Sequence, residues 1–127
     1  MAAGIPADLA PIVKNQDNQF TPATYNNPEL TRRVTAVLKT AIGADNVVEK
    51  KPTMGGEDFS EYSLRDHSIP AFMFNVGAVD PAKVAESQKS GTPLPSLHSS
   101  KFAPVPEPTI RTGLIGMTSA VLELMKK

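Results

Sequence analysis

The chain has 127 residues, of which 40% are hydrophobic and 20% charged, and its thirteen basic residues balance thirteen acidic ones. This composition is typical of one globular domain, and without a block of like charge the chain is not expected to bind nucleic acid or an anionic membrane. The absence of cysteine excludes disulfides, thiolate metal ligands and a cysteine nucleophile.

The hydropathy pattern also bears on location. No apolar run approaches the roughly 18 residues of a membrane span, and the first residues do not follow the pattern of a signal sequence. As it stands, the chain is therefore expected to be soluble and cytoplasmic.

The first predicted elements are a weak strand and a clear helix. Ile12 and Val13 form the one short apolar segment among the early prolines, and a strand this short needs a partner from elsewhere. The helix begins at the N-cap Asn27 with Pro28 in the first position, and Gly43 ends it. Its apolar positions are spaced as on one helix face. They are Leu30, Val34, Val37, Leu38 and Ala41.

The middle of the chain alternates predicted strands with short helices. Residues 46–49 form a short strand stopped by Pro52, and residues 57–64 a short helix. Residues 71–76 are almost continuously apolar, which is typical of a central strand buried on both faces. Asp80 then caps a helix that runs to about Lys89.

The end of the chain combines a long loop with a long helix. Residues 90–106 are rich in proline, and long ordered loops in compact domains are usually functional. Pro108 opens the last helix, in which Gly113 and Gly116 indicate close packing on a neighbour. Large residues form one apolar stripe along this helix. They are Ile110, Leu114, Met117, Val121, Leu124 and Met125.

The alternation of strands and helices predicts an α/β fold, a partial three-layer sheet covered by helices. The glycine turn before the second helix is the first candidate binding feature. Gly55 and Gly56 allow backbone amides to approach a ligand, and a helix N-terminus favours a carboxylate. From spacing alone, Glu57 and Asp58 are better explained as capping residues in the first turn of that helix.

His98 is the second candidate feature, because it lies in the loop and away from any periodic apolar face. An imidazole there suits a metal, although a lone loop histidine is most often plain surface. His67, in a polar turn, has a weaker claim. Catalytic zinc takes three protein ligands and a general base, and two histidines without an HExxH helix do not supply them. The residues alone predict no self-sufficient catalyst.

Four segments in order carry a family resemblance: 20–28 (FTPATYNNP), 54–59 (MGGEDF), 72–77 (FMFNVG) and 97–99 (LHS). Together they resemble the C-terminal part of the M20 family of metallo-amidohydrolases and peptidases, nearest its aminoacylase and hippurate-hydrolase-like branch. The likeness covers about residues 5–124. One departure is Ser100-Lys101, where family members often have proline after the His-Ser pair.

The resemblance implies a hydrolase of N-acyl amino acids or small peptides that uses two zinc or manganese ions. It implies His98 as a metal ligand, and Gly55, Gly56 and Glu57 as substrate-binding residues. Residues 1–25 would end an inserted lid and dimerisation domain, and residues 26–127 would form the C-terminal half of the catalytic domain. The other ligands and the general base would belong to a missing N-terminal half, so no catalytic residue is expected in this segment and the chain alone should be inactive.

Two alternatives stay open at this level. A non-catalytic α/β module that self-associates, or that pairs with a partner through an exposed sheet edge, has the same composition. A homo-oligomer in which His67 and His98 meet across an interface would instead build a shared metal site.

Overall fold

A computed structural model describes residues 4–15, 20–66 and 68–126. Within those ranges the chain forms four α-helices: α1 (Pro28–Ile42), α2 (Ser60–Arg65), α3 (Pro81–Ser90) and α4 (Pro106–Leu124). Single turns of 3-10 helix cover Ala7–Leu9 and Ala44–Asn46. The described residues contain no β-strand.

Helix α1 begins and ends where the sequence predicts. The Asn27 side-chain oxygen accepts hydrogen bonds from the Glu29 and Leu30 amides at 3.1 and 3.0 Å, which satisfies two of the amide groups that a helix start leaves without partners. At the other end Gly43 has φ of +90°, a conformation that a side chain would strain. The predicted bounds are confirmed.

The other helices shift by small amounts from their predicted bounds. Asp80 caps α3 as expected, since its carboxylate accepts from the Ala82 amide at 2.7 Å. Helix α2 begins at Ser60 instead of residue 57, and α4 begins at Pro106 instead of Pro108. Proline at a first helical position suits either start of α4, because its missing N–H costs nothing there.

Helices α1 and α4 pack antiparallel and hold the core. Arg33 near the start of α1 contacts Glu123 near the end of α4, whereas Leu38 further along α1 lies against Gly116 in the middle of α4. The core cluster consists of Val34, Leu38 and Ala120. The side chains packed against it are Leu30, Val47, Phe72 and Phe74.

The small residues of α4 form its packed face. A Cβ placed on Gly116 would lie 3.4 Å from Leu38 Cδ2 and 3.5 Å from Phe74 Cε2, so the glycine lets α1 and the Phe74 ring approach closely. This confirms the expected reason for the glycine. The six large residues of the apolar stripe, Ile110 to Met125, are all exposed instead, which is not what an apolar stripe on a packed helix predicts.

The apolar segment 71–76 lies on this helix pair without becoming a strand. Asn26 gives it a single-residue substitute for a strand partner, because its side-chain amide donates to the Met73 carbonyl and accepts from the Met73 amide, both at 2.9 Å. The Asn27 amide also donates to the Ala71 carbonyl at 2.8 Å. Among the described residues, no backbone group pairs with Phe72 or Phe74.

The α/β prediction, a partial three-layer sheet, is therefore wrong for the part of the chain that is described. Strands need a second backbone to complete their hydrogen bonds, whereas segment 71–76 is paired by the Asn26 side chain and by a single backbone amide, that of Asn27. Segment 47–50 is irregular after its 3-10 turn, and Ile12 and Val13 lie in an irregular, exposed stretch. The three strand predictions are therefore wrong for the described residues, because none of these apolar segments has a partner strand.

The chain also leaves much of its surface open. It exposes 11003 Å², whereas a compact monomer of 13.6 kDa exposes about 6,600 Å². Four hydrophobic side chains are buried among the described residues: Val34, Leu38, Ala71 and Ala120.

Candidate functional site

The glycine turn lies against the segment that precedes α1. A Cβ placed on Gly56 would lie 3.4 Å from Thr21 Cγ2, so the two segments are in contact. Gly55 and Gly56 are exposed. Their amides donate no hydrogen bond to any described residue, which leaves both N–H groups available to a ligand.

Glu57 has a local structural role at the start of α2. Its carboxylate accepts from the Phe59 amide at 3.3 Å, and its carbonyl accepts from the buried Ser60 hydroxyl at 2.7 Å. These contacts correspond to the capping explanation of the acidic pair. They occupy one carboxylate oxygen and leave the other open, so substrate contact by Glu57 stays a prediction.

A cleft of about 340 Å³ opens beside this turn, between residues 22–27, α2 and residues 69–71. Its polar side chains are Tyr25, Asn27, Ser60 and Ser63, and it contains no acidic or basic residue. The two serine hydroxyls donate to the carbonyls of Glu57 and Ser60. The cleft therefore offers shape and apolar surface but no group that could act as acid, base or cation.

His98 lies in a tight turn of the proline-rich loop. The Ser99 amide donates to the Ser96 carbonyl at 2.9 Å, and the Phe102 amide donates to the Ser99 carbonyl at 3.0 Å. The imidazole is exposed, and it makes no hydrogen bond within the described residues. Among the described residues, no hydrogen bond joins His98 to Gly55 or Gly56.

The described residues supply too few grouped donors for a metal ion. Within residues 4–15, 20–66 and 68–126, no three His, Asp or Glu side chains are grouped so that they could hold an ion. His98 suits a metal as a single exposed ligand, but these residues do not complete a zinc or manganese site, and no hydrolytic step through a metal follows from them. The weaker candidate, His67, lies outside the described residues.

Sequence reasoning missed two polar contacts that organise this half of the molecule. Asn26 pairs with Met73, and Arg33 donates to the Glu123 carboxylate at 3.1 Å and to its carbonyl at 2.6 Å. Lys126 donates to the same carboxylate. The hydrogen bonds from Lys126 and Arg33 lower the pKa of Glu123, and the one from Lys126 has the larger effect. The two adjacent asparagines before Pro28 were a sequence signal for the Asn26–Met73 contact. The Arg33–Glu123 contact joins residues 90 positions apart.

The described helices differ from membrane-spanning helices. None of those in the described ranges combines the length and the apolar character that a bilayer crossing requires.

Comparison with known proteins identifies relatives. The model of the family described as "Peptidase family M20/M25/M40" matches residues 12–98. Two curated proteins of Saccharolobus solfataricus, Thermostable carboxypeptidase 2 and Thermostable carboxypeptidase 1, are each 31% identical to this chain over 106 residues. Each alignment covers 84% of this chain and 23% of the relative, so the chain spans about a quarter of their length. No solved structure matches.

Proposed function

Because this chain belongs to peptidase family M20/M25/M40, we propose that it is the C-terminal segment of a metal-dependent hydrolase of amide bonds in N-acyl amino acids or small peptides. The match over residues 12–98 carries this proposal. It includes the glycine turn and ends on His98, so both candidate features lie inside the family region. The two relatives named as carboxypeptidases agree with action on an amide next to a carboxylate.

Within this proposal, His98 is one ligand of a zinc or manganese ion. Its exposed imidazole, held on a turn by the Ser96–Ser99 and Ser99–Phe102 hydrogen bonds, supports that role. Gly55, Gly56 and Glu57 line the substrate side. The two exposed glycine amides are donors suited to a substrate carboxylate.

The remaining ligands and the general base come from further polypeptide, the N-terminal half of such an enzyme. The absence of a three-donor group from the described residues supports this division, and so does the small share of the relatives that the chain spans. We accordingly propose that the chain is inactive by itself. The predicted division at residue 25, the cytoplasmic location and the absence of a nucleic-acid partner stay predictions.

The alternative, a non-catalytic α/β module that pairs through a sheet edge, lacks its structural basis. The described residues contain no sheet whose edge a partner could extend. Membership of a peptidase family favours the hydrolase.

The test is reconstitution. The purified chain is assayed with N-acyl amino acids and short peptides in the presence of zinc or manganese, alone and after co-expression with the N-terminal half of an M20-family enzyme. We expect no turnover by the chain alone and turnover by the reconstituted protein. Turnover by the chain alone would refute the inactivity, and a reconstituted protein without turnover would refute the function.

Substitutions then test the assigned roles. In the reconstituted protein, His98→Ala should lower metal content and kcat, whereas Lys101→Ala, an exposed change in the same turn, should change neither. Gly55→Val, which alters a position with only the Thr53 hydroxyl near its Cβ, should raise KM for substrates with a free carboxylate more than it lowers kcat. Unchanged metal content in the His98 variant would remove this residue from the site.

A further inference from the structure

Asn26 joins two walls of the cleft that opens beside the glycine turn. Residues 22–27 form one wall and residues 69–71 the other, while α2 forms the third side. The Asn26 side-chain amide donates to the Met73 carbonyl and accepts from the Met73 amide, both at 2.9 Å. This side chain therefore fixes the first wall against the segment that continues the second.

The next residue ties the same two walls to the core. Asn27, which caps α1, donates through its backbone amide to the Ala71 carbonyl at 2.8 Å. We call the three hydrogen bonds made by Asn26 and Asn27 to this segment the Asn26 clasp. The two phenylalanine rings of segment 71–76 pack against the core cluster. Because the core holds that segment, the clasp gives residues 22–27 a fixed position as well.

The wall that contains Asn26 also lies against the glycine turn. A Cβ placed on Gly56 would lie 3.4 Å from Thr21 Cγ2, so the turn contacts the residue just before this wall. Helix α2, which follows the turn, lines the same cleft. The exposed amides of Gly55 and Gly56 are the proposed donors to a substrate carboxylate. Their position therefore depends on a wall that the clasp holds in place.

The far end of the clasped segment holds the loop that contains His98. The Val105 amide donates to the Ala78 carbonyl at 2.8 Å, and Val105 is the N-cap residue of α4. Ala78 lies five residues after Met73 on the same segment of chain. The loop therefore ends at a point that is tied to the residue that Asn26 binds.

From these contacts we propose that Asn26 is a positioning residue of the candidate site. It sets the glycine turn relative to the end of the His98 loop and touches neither substrate nor metal, so its role rests on the proposed hydrolase function. Each contact joins two residues of this chain and needs no further polypeptide. Asparagine suits the role because one planar amide supplies both a donor and an acceptor to the same backbone residue.

The first experiment follows the geometry of the chain alone. Amide proton–nitrogen NMR spectra of the unmodified chain are compared with those of Asn26→Ala. Loss of the clasp should shift the signals of Gly55, Gly56 and Val105 in addition to that of Met73. A purely local structural role would move only the signals next to Met73.

Two controls separate positioning from a general loss of stability. Asn75→Ala removes an exposed amide from the clasped segment, and it should leave the signals of Gly55 and Gly56 in place. Leu38→Ala removes a core side chain that is 5% exposed. It should leave both glycine signals in place too, although it costs more stability than Asn26→Ala.

The second experiment uses the reconstituted protein of the hydrolase test. Asn26→Ala should raise KM for substrates with a free carboxylate by roughly tenfold, the factor that corresponds to losing one hydrogen bond to a charged group. KM for substrates whose carboxylate is amidated should rise much less. Asn75→Ala should leave KM within about twofold for both kinds of substrate.

Three results would overturn the proposal. The first is a spectrum of Asn26→Ala in which the Met73 signal moves while those of Gly55, Gly56 and Val105 stay in place. The second is an equal shift of the two glycine signals in either control, which would assign the shift to a general disturbance. The third is a KM that rises equally for free and amidated substrates. A reconstituted protein without turnover would refute the proposed function instead, and the spectra of the chain alone would still decide the geometry.

Discussion

The α1–α4 pair and the loops with the candidate site residues differ in almost every physical respect. The helix pair contains Val34, Leu38 and Ala120, all nearly free of solvent contact, and Arg33 of α1 forms an ion pair with Glu123 of α4 at one end of the pair. Gly55, Gly56 and His98 are exposed and lie outside the helices. The first region stabilises the fold, and the second contains the candidate site residues.

This separation explains why the candidate site is incomplete while the fold is still defined. A packed helix pair is stabilised by burial, which the chain achieves within itself. A metal site needs several donors converging on one point, and the described residues group no three such donors, with His98 or without it. Substitutions in the two regions should therefore have very different effects.

The largest effect is expected at Leu38, which is 5% exposed and touches Gly116 across the helix pair. Leu38→Ala should lower the free energy of unfolding by about 2–4 kcal/mol, because the helices cannot close the cavity fully. Urea denaturation followed by circular dichroism measures this. Leu122→Ala, at an exposed position of α4, should change the same quantity by less than about 0.5 kcal/mol. Equal losses would mean that this core does not hold the helix pair together.

Asn26 should come next, because it links the loop before α1 to the segment that packs on the helix pair. Asn26→Ala leaves the Met73 amide and carbonyl without their partner and should cost about 1–2 kcal/mol. The matched control is Asn75→Ala, an exposed asparagine in the same extended segment. Protection of the Met73 amide in hydrogen exchange should fall in the Asn26 variant only. Unchanged protection would contradict the pairing.

A smaller, pH-dependent effect is expected at Glu123. Because Lys126 and Arg33 lower its pKa in the folded chain, this carboxylate adds stability above the ordinary titration range of glutamate, and that stability is lost as pH falls through the lowered pKa. Glu123→Gln should therefore flatten the acid limb of a stability–pH curve. Glu86→Gln, an exposed change on α3, should leave the slope as in the unmodified chain. A steep limb in the Glu123 variant would assign acid sensitivity to other groups.

The smallest effect on stability is expected at His98. His98→Ala removes an exposed imidazole that makes no hydrogen bond within the described residues, so the free energy of unfolding should stay within about 0.5 kcal/mol. The urea measurement that serves Leu38→Ala applies here too. A loss comparable to that of Asn26→Ala would show that the turn depends on the imidazole and would weaken the case for a ligand.

The helix boundaries were predictable because their causes are local. Asn27, Pro28 and Gly43 define α1 through contacts within four residues, and Asp80 does the same for α3. The family was predictable from four short motifs whose order is specific, and the match over residues 12–98 confirms it.

That the described residues would form no sheet was not predictable, because an apolar run specifies burial but not the second backbone that a strand requires. Segment 71–76 is apolar whether or not a second strand is present to pair with it. The structure pairs it with an asparagine side chain, a contact between residues 47 positions apart.

The sequence by itself determined the bounds of α1, the start of α3 and the family to which the chain belongs, because all of these depend on residue type and short spacing. Only the tertiary structure decided that α4 packs through its glycines and leaves its large residues outside, and that segment 71–76 pairs with the Asn26 side chain. Those outcomes depend on which distant surfaces meet, and the geometry at Gly116 settled the first by letting Leu38 and Phe74 approach the helix backbone.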